Sequence, residues 1–249
     1  MVKGLDTFRK YFADYEKQCV LIGGAACDIE FESNEASFRA TRDLDMVLII
    51  EALTPEFGGK LWQFILDGKY RNKSTNGEKP QFYRFDKPED DSFPKMIELF
   101  CRSDFELVKS EGITPIHIDD EISSLSAILL NDDYYKVLID GKVLRNGLSI
   151  LRPEYIILFK AKAYLDLKMR KEMGEKVDSS DIKKHKKDVL RIASELMLEK
   201  IEDLPTTVNA DIHNFIQALD KEPFDQNSLK EYGLKNEDVV NLLKQIYEE

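Results

Sequence analysis

Residues Leu21 to Glu51 read LIGGAACDIEFESNEASFRATRDLDMVLIIE, and the fold turns on this stretch. It takes up the end of an apolar run, Cys19 to Ile22, that is too short for a buried helix and is stopped by Gly23 and Gly24. That run reads as a strand. The residues after the Gly-Gly turn open a helix. Glycine lets a backbone approach another group closely, and the free N–H groups at a helix start suit a phosphate. A polar loop follows, and Asp43-Leu44-Asp45 then runs into the apolar segment Met46 to Ile50, a second strand. Asp43 and Asp45 are two apart, so both carboxylates leave one face of it. Two carboxylates so close repel each other unless a cation lies between them, and hard oxygen ligands of this kind favour magnesium. A Gly-Gly turn alone is common, and an Asp-x-Asp alone also suits a solvated strand end or a helix cap. The combination is more specific.

The Gly-Gly turn followed by RATRDLD resembles the nucleotidyltransferase superfamily with the DNA polymerase beta-like palm. Within it, the closest likeness is to the branch of AbiEii-like toxins and their bacterial relatives. There an apolar strand, Gly-Gly or Gly-Ser and a helix precede Asp-x-Asp at the start of the next strand, and a third acid comes from a later strand. The interval from Gly24 to Asp43 is longer here than in the tightest members. The resemblance implies an α+β fold: a palm with a mixed sheet flanked by helices over residues 1–150, then a helical domain over 151–249. It implies two Mg2+ ions held by three carboxylates and a nucleoside triphosphate (NTP) as substrate, its phosphates held by Gly23 and Gly24. The acceptor would be RNA, such as a tRNA end, or a protein hydroxyl. A toxin role would bring an antitoxin partner.

Further along, KMIELFC at Lys95 to Cys101 reads as a central strand interrupted by Glu98. A lone Glu in a buried strand is costly unless paired or bound to a cation, although a strand with one solvated position also explains it. By resemblance Glu98 is the third metal carboxylate, with Asp104 and Glu106 near enough in the chain to compete. Pro153 opens a helix, PEYIILFKAKAYLDLKMRK, that is apolar almost all round and therefore buried. Lys162 has Asp166 one turn on as a local ion pair. Lys160 has no such neighbour and lies at helical spacing between Ile156, Tyr164 and Leu167. It could extend its ammonium to the surface, or face an anion. Relatives carry a lysine in this helix, which the resemblance sends to the nucleotide phosphates. VDSSDIKKHKKDVLRI, from Val177 to Ile192, resembles a second block of the same branch, and by that match Asp188 sits near the lysine. Pairing with Lys184 four residues earlier is the local alternative for Asp188. His185 falls on the edge of this helix's core stripe and has an ordinary packing role as its simpler reading.

The wider chain sets the bounds. Its 249 residues have room for one large domain or two small ones. No apolar run approaches about 18 residues, the charged and aromatic N-terminus does not read as a signal peptide, and a cytoplasmic protein is the expectation. Three widely spaced cysteines make neither a disulfide framework nor a zinc site, and His117 has no partner at ligand spacing. The net charge of −11 weighs against wrapping nucleic acid by bulk electrostatics. Residues 160–191 run the other way, with 11 Lys or Arg against six Asp or Glu, so +5 there and −16 elsewhere. A solvated helix face explains such a run, and an anion site would also use it. Asp140-Gly141 and Asn146-Gly147 are hairpin signals, and the first predicts that Lys136–Ile139 pairs with Lys142–Leu144. Helices are predicted over Leu5–Glu16, Pro55–Leu66, Asn209–Leu219 and Glu237–Tyr247. Two function classes stand: a nucleotidyltransferase, with phosphoryl transfer as its nearest enzymatic variant, and a catalytically silent nucleotide- or partner-binding protein.

Overall fold

Short buried strands and helices with a buried face build an α+β chain. The computed structural model describes residues 2–33, 43–71, 84–101, 128, 129 and 131–248. Asp104, Glu106 and His117 lie outside them. Strands β1 (Cys19–Ile22), β2 (Asp43–Leu48), β3 (Arg84–Asp86), β4 (Met96–Phe100), β5 (Lys142–Arg145) and β6 (Leu148–Leu151) form one mixed sheet in the order β3-β4-β2-β1-β6-β5. β1 runs antiparallel to β2 and parallel to β6, whereas β2 and β4 are parallel. β3–β4 and β5–β6 are antiparallel. The four apolar residues of β1 are all buried, as a strand covered on both faces requires.

Helices α1 (Leu5–Phe12), α2 (Gly23–Ser33) and α3 (Pro55–Asp67) belong with the sheet. Phe8 and Phe12 of α1 stack at 4.4 Å, and Phe64 of α3 meets Phe12 at 5.3 Å. Burying each such ring contributes about 2–3 kcal/mol. The stripe predicted through Glu16 outlasts the helix, because Tyr15 lies beyond Phe12 yet still packs edge-on against Phe57 at 5.6 Å. α3 starts where its sequence says: Thr54 accepts the N–H of Phe57 at 3.3 Å and Pro55 takes the first position.

A second unit comprises α4 (Asp132–Asp140), α5 (Pro153–Glu172), α6 (Ser179–Glu195), α7 (Thr206–Lys221), α8 (Gln226–Glu231) and α9 (Asn236–Tyr247). The first half of α5 is buried on every side, from Pro153 to Phe159 without a break. Tyr164 meets Phe215 of α7 edge-on at 5.4 Å. Asp178 caps α6 by accepting the N–H of Ser180 at 2.8 Å. All three cysteines are buried and none is in a disulfide among the described residues, and among the described residues no helix is long and apolar enough to cross a membrane.

One expected hairpin is absent. Lys136–Ile139 lies in α4, not in a strand. Asn131 accepts the N–H groups of Asp133 at 2.9 Å and Tyr134 at 3.3 Å, which nucleates the helix. Tyr134, Tyr135, Val137 and Leu138 are buried, a helical spacing rather than an alternation. Gly141 ends this helix by donating to the Val137 carbonyl at 2.9 Å. The second signal is a true hairpin: Asn146 (φ +50°) and Gly147 (φ +77°) supply the left-handed pair that joins β5 to β6.

Candidate functional site

Strand register decides which of the singled-out residues meet. In the parallel β2–β4 pair Asp45 stands opposite Glu98, and Asp43 opposite Met96. Residues opposite each other share a face, as do residues two apart, so Asp43, Asp45 and Glu98 all leave the same side of the sheet. Neighbouring strands are about 4.8 Å apart, which lets carboxylates on adjacent strands reach one cation. All three are only partly exposed, though flanked by fully buried Leu44, Met46 and Ile97.

The Gly-Gly turn is part of the same cluster. Gly23 adopts φ +61° at the start of α2, and a Cβ on it would collide with Oδ2 of Asp45. Both the positive φ and this close approach exclude a side chain. The Asp45 carboxylate therefore packs against the first residue of α2, the positive end of an 11-residue helix. Here the partial charge of the helix favours an anion.

Glu98 has a partner that sequence reading missed. Arg84 of β3, opposite it in the antiparallel β3–β4 pair, donates from Nε at 2.6 Å and from Nη2 at 2.5 Å to Oε1. Once β3 and β4 pair, Arg84 and Glu98 stand opposite each other and share a face. Among the described residues no three His, Cys, Asp or Glu side chains are gathered into a group that could hold a metal ion. The donor chemistry of Asp43 and Asp45, hard oxygens beside a glycine cradle, fits a divalent cation. Glu98 could complete it only by turning from Arg84.

Lys160 and Asp188 belong to the second unit and meet there. Lys160 Nζ lies 3.0 Å from Asp188 Oδ2, with the side chains 13% and 3% exposed. This is a buried ion pair between α5 and α6, and the local alternative for Asp188, Lys184, is exposed. Lys162 makes its expected pair with Asp166 at 3.0 Å and adds Asp211 at 3.3 Å. Burial opposes its charge, but Asp166 and Asp211 outweigh that and hold its pKa above the ordinary lysine value. Tyr134 donates to the same Asp211 oxygen at 3.0 Å, so Lys162 serves a structural network.

Compared with models of known families, with curated proteins and with solved structures, the chain matches none of them.

Proposed function

We propose that the chain is a magnesium-dependent nucleotidyltransferase, moving a nucleoside monophosphate from an NTP to an acceptor hydroxyl. The observation that carries this reading is the packing of Gly23 against Asp45, with Asp43 and Glu98 on the same sheet face. In this reading Asp43 and Asp45 hold the cation and Glu98 completes the set. Mg2+ would supply charge neutralisation on the triphosphate and on the attacking and leaving oxygens. Gly23, Gly24 and the N–H groups at the start of α2 orient the phosphates. The acceptor oxygen forms a bond to the α-phosphorus, the bond to the bridging oxygen breaks, and pyrophosphate leaves with that electron pair. A carboxylate of the cluster takes the hydroxyl proton. Lys160 and Asp188 form a buried pair within the second unit and are given no part in this site. An RNA end, such as that of tRNA, or a protein hydroxyl is the proposed acceptor, and a toxin paired with an antitoxin is the proposed setting.

The Arg84–Glu98 pair favours a second reading, a silent nucleotide- or partner-binding protein, because an arginine already neutralises the third carboxylate. Incubation with each radiolabelled NTP, Mg2+ and total RNA separates the two. Label on RNA or protein is expected from the native chain and from the Asp43→Ala/Asp45→Ala variant none. Equal label from both refutes the carboxylate assignment. No label with NTP still bound points to the silent reading or to an acceptor outside the mixture.

A further inference from the structure

The basic stretch of residues 160–191 resolves in three dimensions into spent and unspent charge. Lys160, Lys162, Lys168, Arg170 and Arg191 each have a carboxylate partner. Of the other six, Lys183, Lys186 and Lys187 gather in one place, and among the described residues no ion pair joins any of these three to an acid. They follow one another at i, i+3 and i+4 on α6, so they share a face, and they line a cleft of about 420 Å³. Its opposite wall is Pro223, Phe224 and Asp225, the link from α7 to α8.

Lys186 is pinned. Its Nζ donates to the carbonyls of Glu222 at 2.9 Å and Pro223 at 3.0 Å, and it lies 5.8 Å from the centre of the Tyr164 ring. Two neutral carbonyls fix an ammonium without cancelling its charge, and of its three donors one remains. Burial lowers the Lys186 pKa, and the nearby Glu222 charge only partly opposes this. The acid of the cleft, Asp225, is occupied otherwise: its Oδ2 accepts the N–H of Ser228 at 2.9 Å and the Ser228 hydroxyl at 3.1 Å. Three cations against one acid leave the cleft near +2 on a chain of −11. Leu190 and Phe224 back the cleft from the core at 1% and 2% exposed, and the Phe224 N–H donates to Asn236 Oδ1 at 3.0 Å.

We infer that this cleft is a binding site for a phosphate ester of nucleotide size, with the phosphate on Lys183, Lys186 and Lys187. The volume lies in the range of small-ligand sites. Lysines bind phosphate as point charges, and Lys183 and Lys187 are about 6 Å apart along the helix, room for one or two phosphates. The acidic remainder of the chain disfavours a long polyanion, so the ligand is either a free nucleotide or the phosphorylated end of an RNA. The site does not rest on the proposed transfer reaction.

The test is calorimetric titration of the full chain, without divalent cation, using AMP in one arm and a 5′-phosphorylated ribo-hexanucleotide in the other. Lys183 and Lys187 are exposed, so the Lys183→Gln/Lys187→Gln variant keeps the fold, which circular dichroism checks. Expected are binding about tenfold weaker in that variant and a salt dependence reduced by about one unit of slope per lysine. Lys183→Arg/Lys187→Arg should retain binding, as should Asp43→Ala/Asp45→Ala. Tighter binding of the hexanucleotide than of AMP would name an RNA end; equal binding would name a free nucleotide. No binding to either probe, or equal affinity in the native and Gln variants, overturns the proposal. So does loss of binding in Asp43→Ala/Asp45→Ala alone, which would place the phosphate at the carboxylate cluster.

Discussion

Arg84 is the residue on which the two functional readings divide. Its guanidinium engages a Glu98 carboxylate that is 18% exposed, while Arg84 itself is 47% exposed. An arginine so placed either completes a structural pair or holds the carboxylate until a cation displaces it. Replacing it with Met leaves Glu98 free to turn towards Asp45. If Glu98 is a metal ligand, Arg84→Met should bind Mn2+ several-fold more tightly than the native chain, read by paramagnetic resonance titration with no substrate present. Unchanged Mn2+ affinity with reduced thermal stability would make the pair structural.

At the scale of elements, α5 is clasped to α6 and to α7 by different chemistry. The α5–α6 clasp is the buried Lys160–Asp188 pair. Burying two charges yields little net stability, but removing one strands the other. Lys160→Met should therefore cost about 3–5 kcal/mol in urea unfolding, and adding Asp188→Leu should recover most of it. A double variant as unstable as the single one would show that more than Lys160 holds Asp188. The α5–α7 contact adds a half-exposed carboxylate to its buried packing. Lys168 Nζ and the Tyr164 hydroxyl each donate to Glu222 at 2.7 Å, and together they hold its carboxyl below the ordinary carboxylate range. A depressed carboxylate contributes stability that is present above its unfolded pKa of 4.5 and fades as pH falls through the lower folded value. Native chain and Glu222→Gln should thus differ in thermal midpoint at neutral pH and converge as pH falls through the lowered folded value. A gap that persists in acid would mean the clasp acts by packing alone.

At the scale of the whole molecule, the chain divides into a sheet-bearing unit and a helical unit, and both are net acidic. The α6 lysines stand out against a chain of −11, so their effect is confined by screening to about 8–10 Å at ordinary salt. A site on such a surface selects short anionic ligands over long ones.

Local chemistry made much of this legible in the sequence. The bounds of β1, the turn at Gly23, the opening of β2 by Asp43 and the starts of α3, α5 and α6 follow from glycine, proline and capping residues acting on their immediate neighbours. Where a signal could serve two structures, local information failed. Gly141 ends a helix although Asp140-Gly141 reads as a hairpin turn, because the choice depends on where Tyr134, Val137 and Leu138 are buried. Pairings across the chain were decided by tertiary structure alone. Strand register set Glu98 beside both Asp45 and Arg84, and helix packing joined Lys160 to Asp188 and gathered three lysines around one cleft. A sequence fixes which face of its own element a side chain leaves. Which charge it meets depends on the element that packs there, and that is set by burial summed over the whole unit.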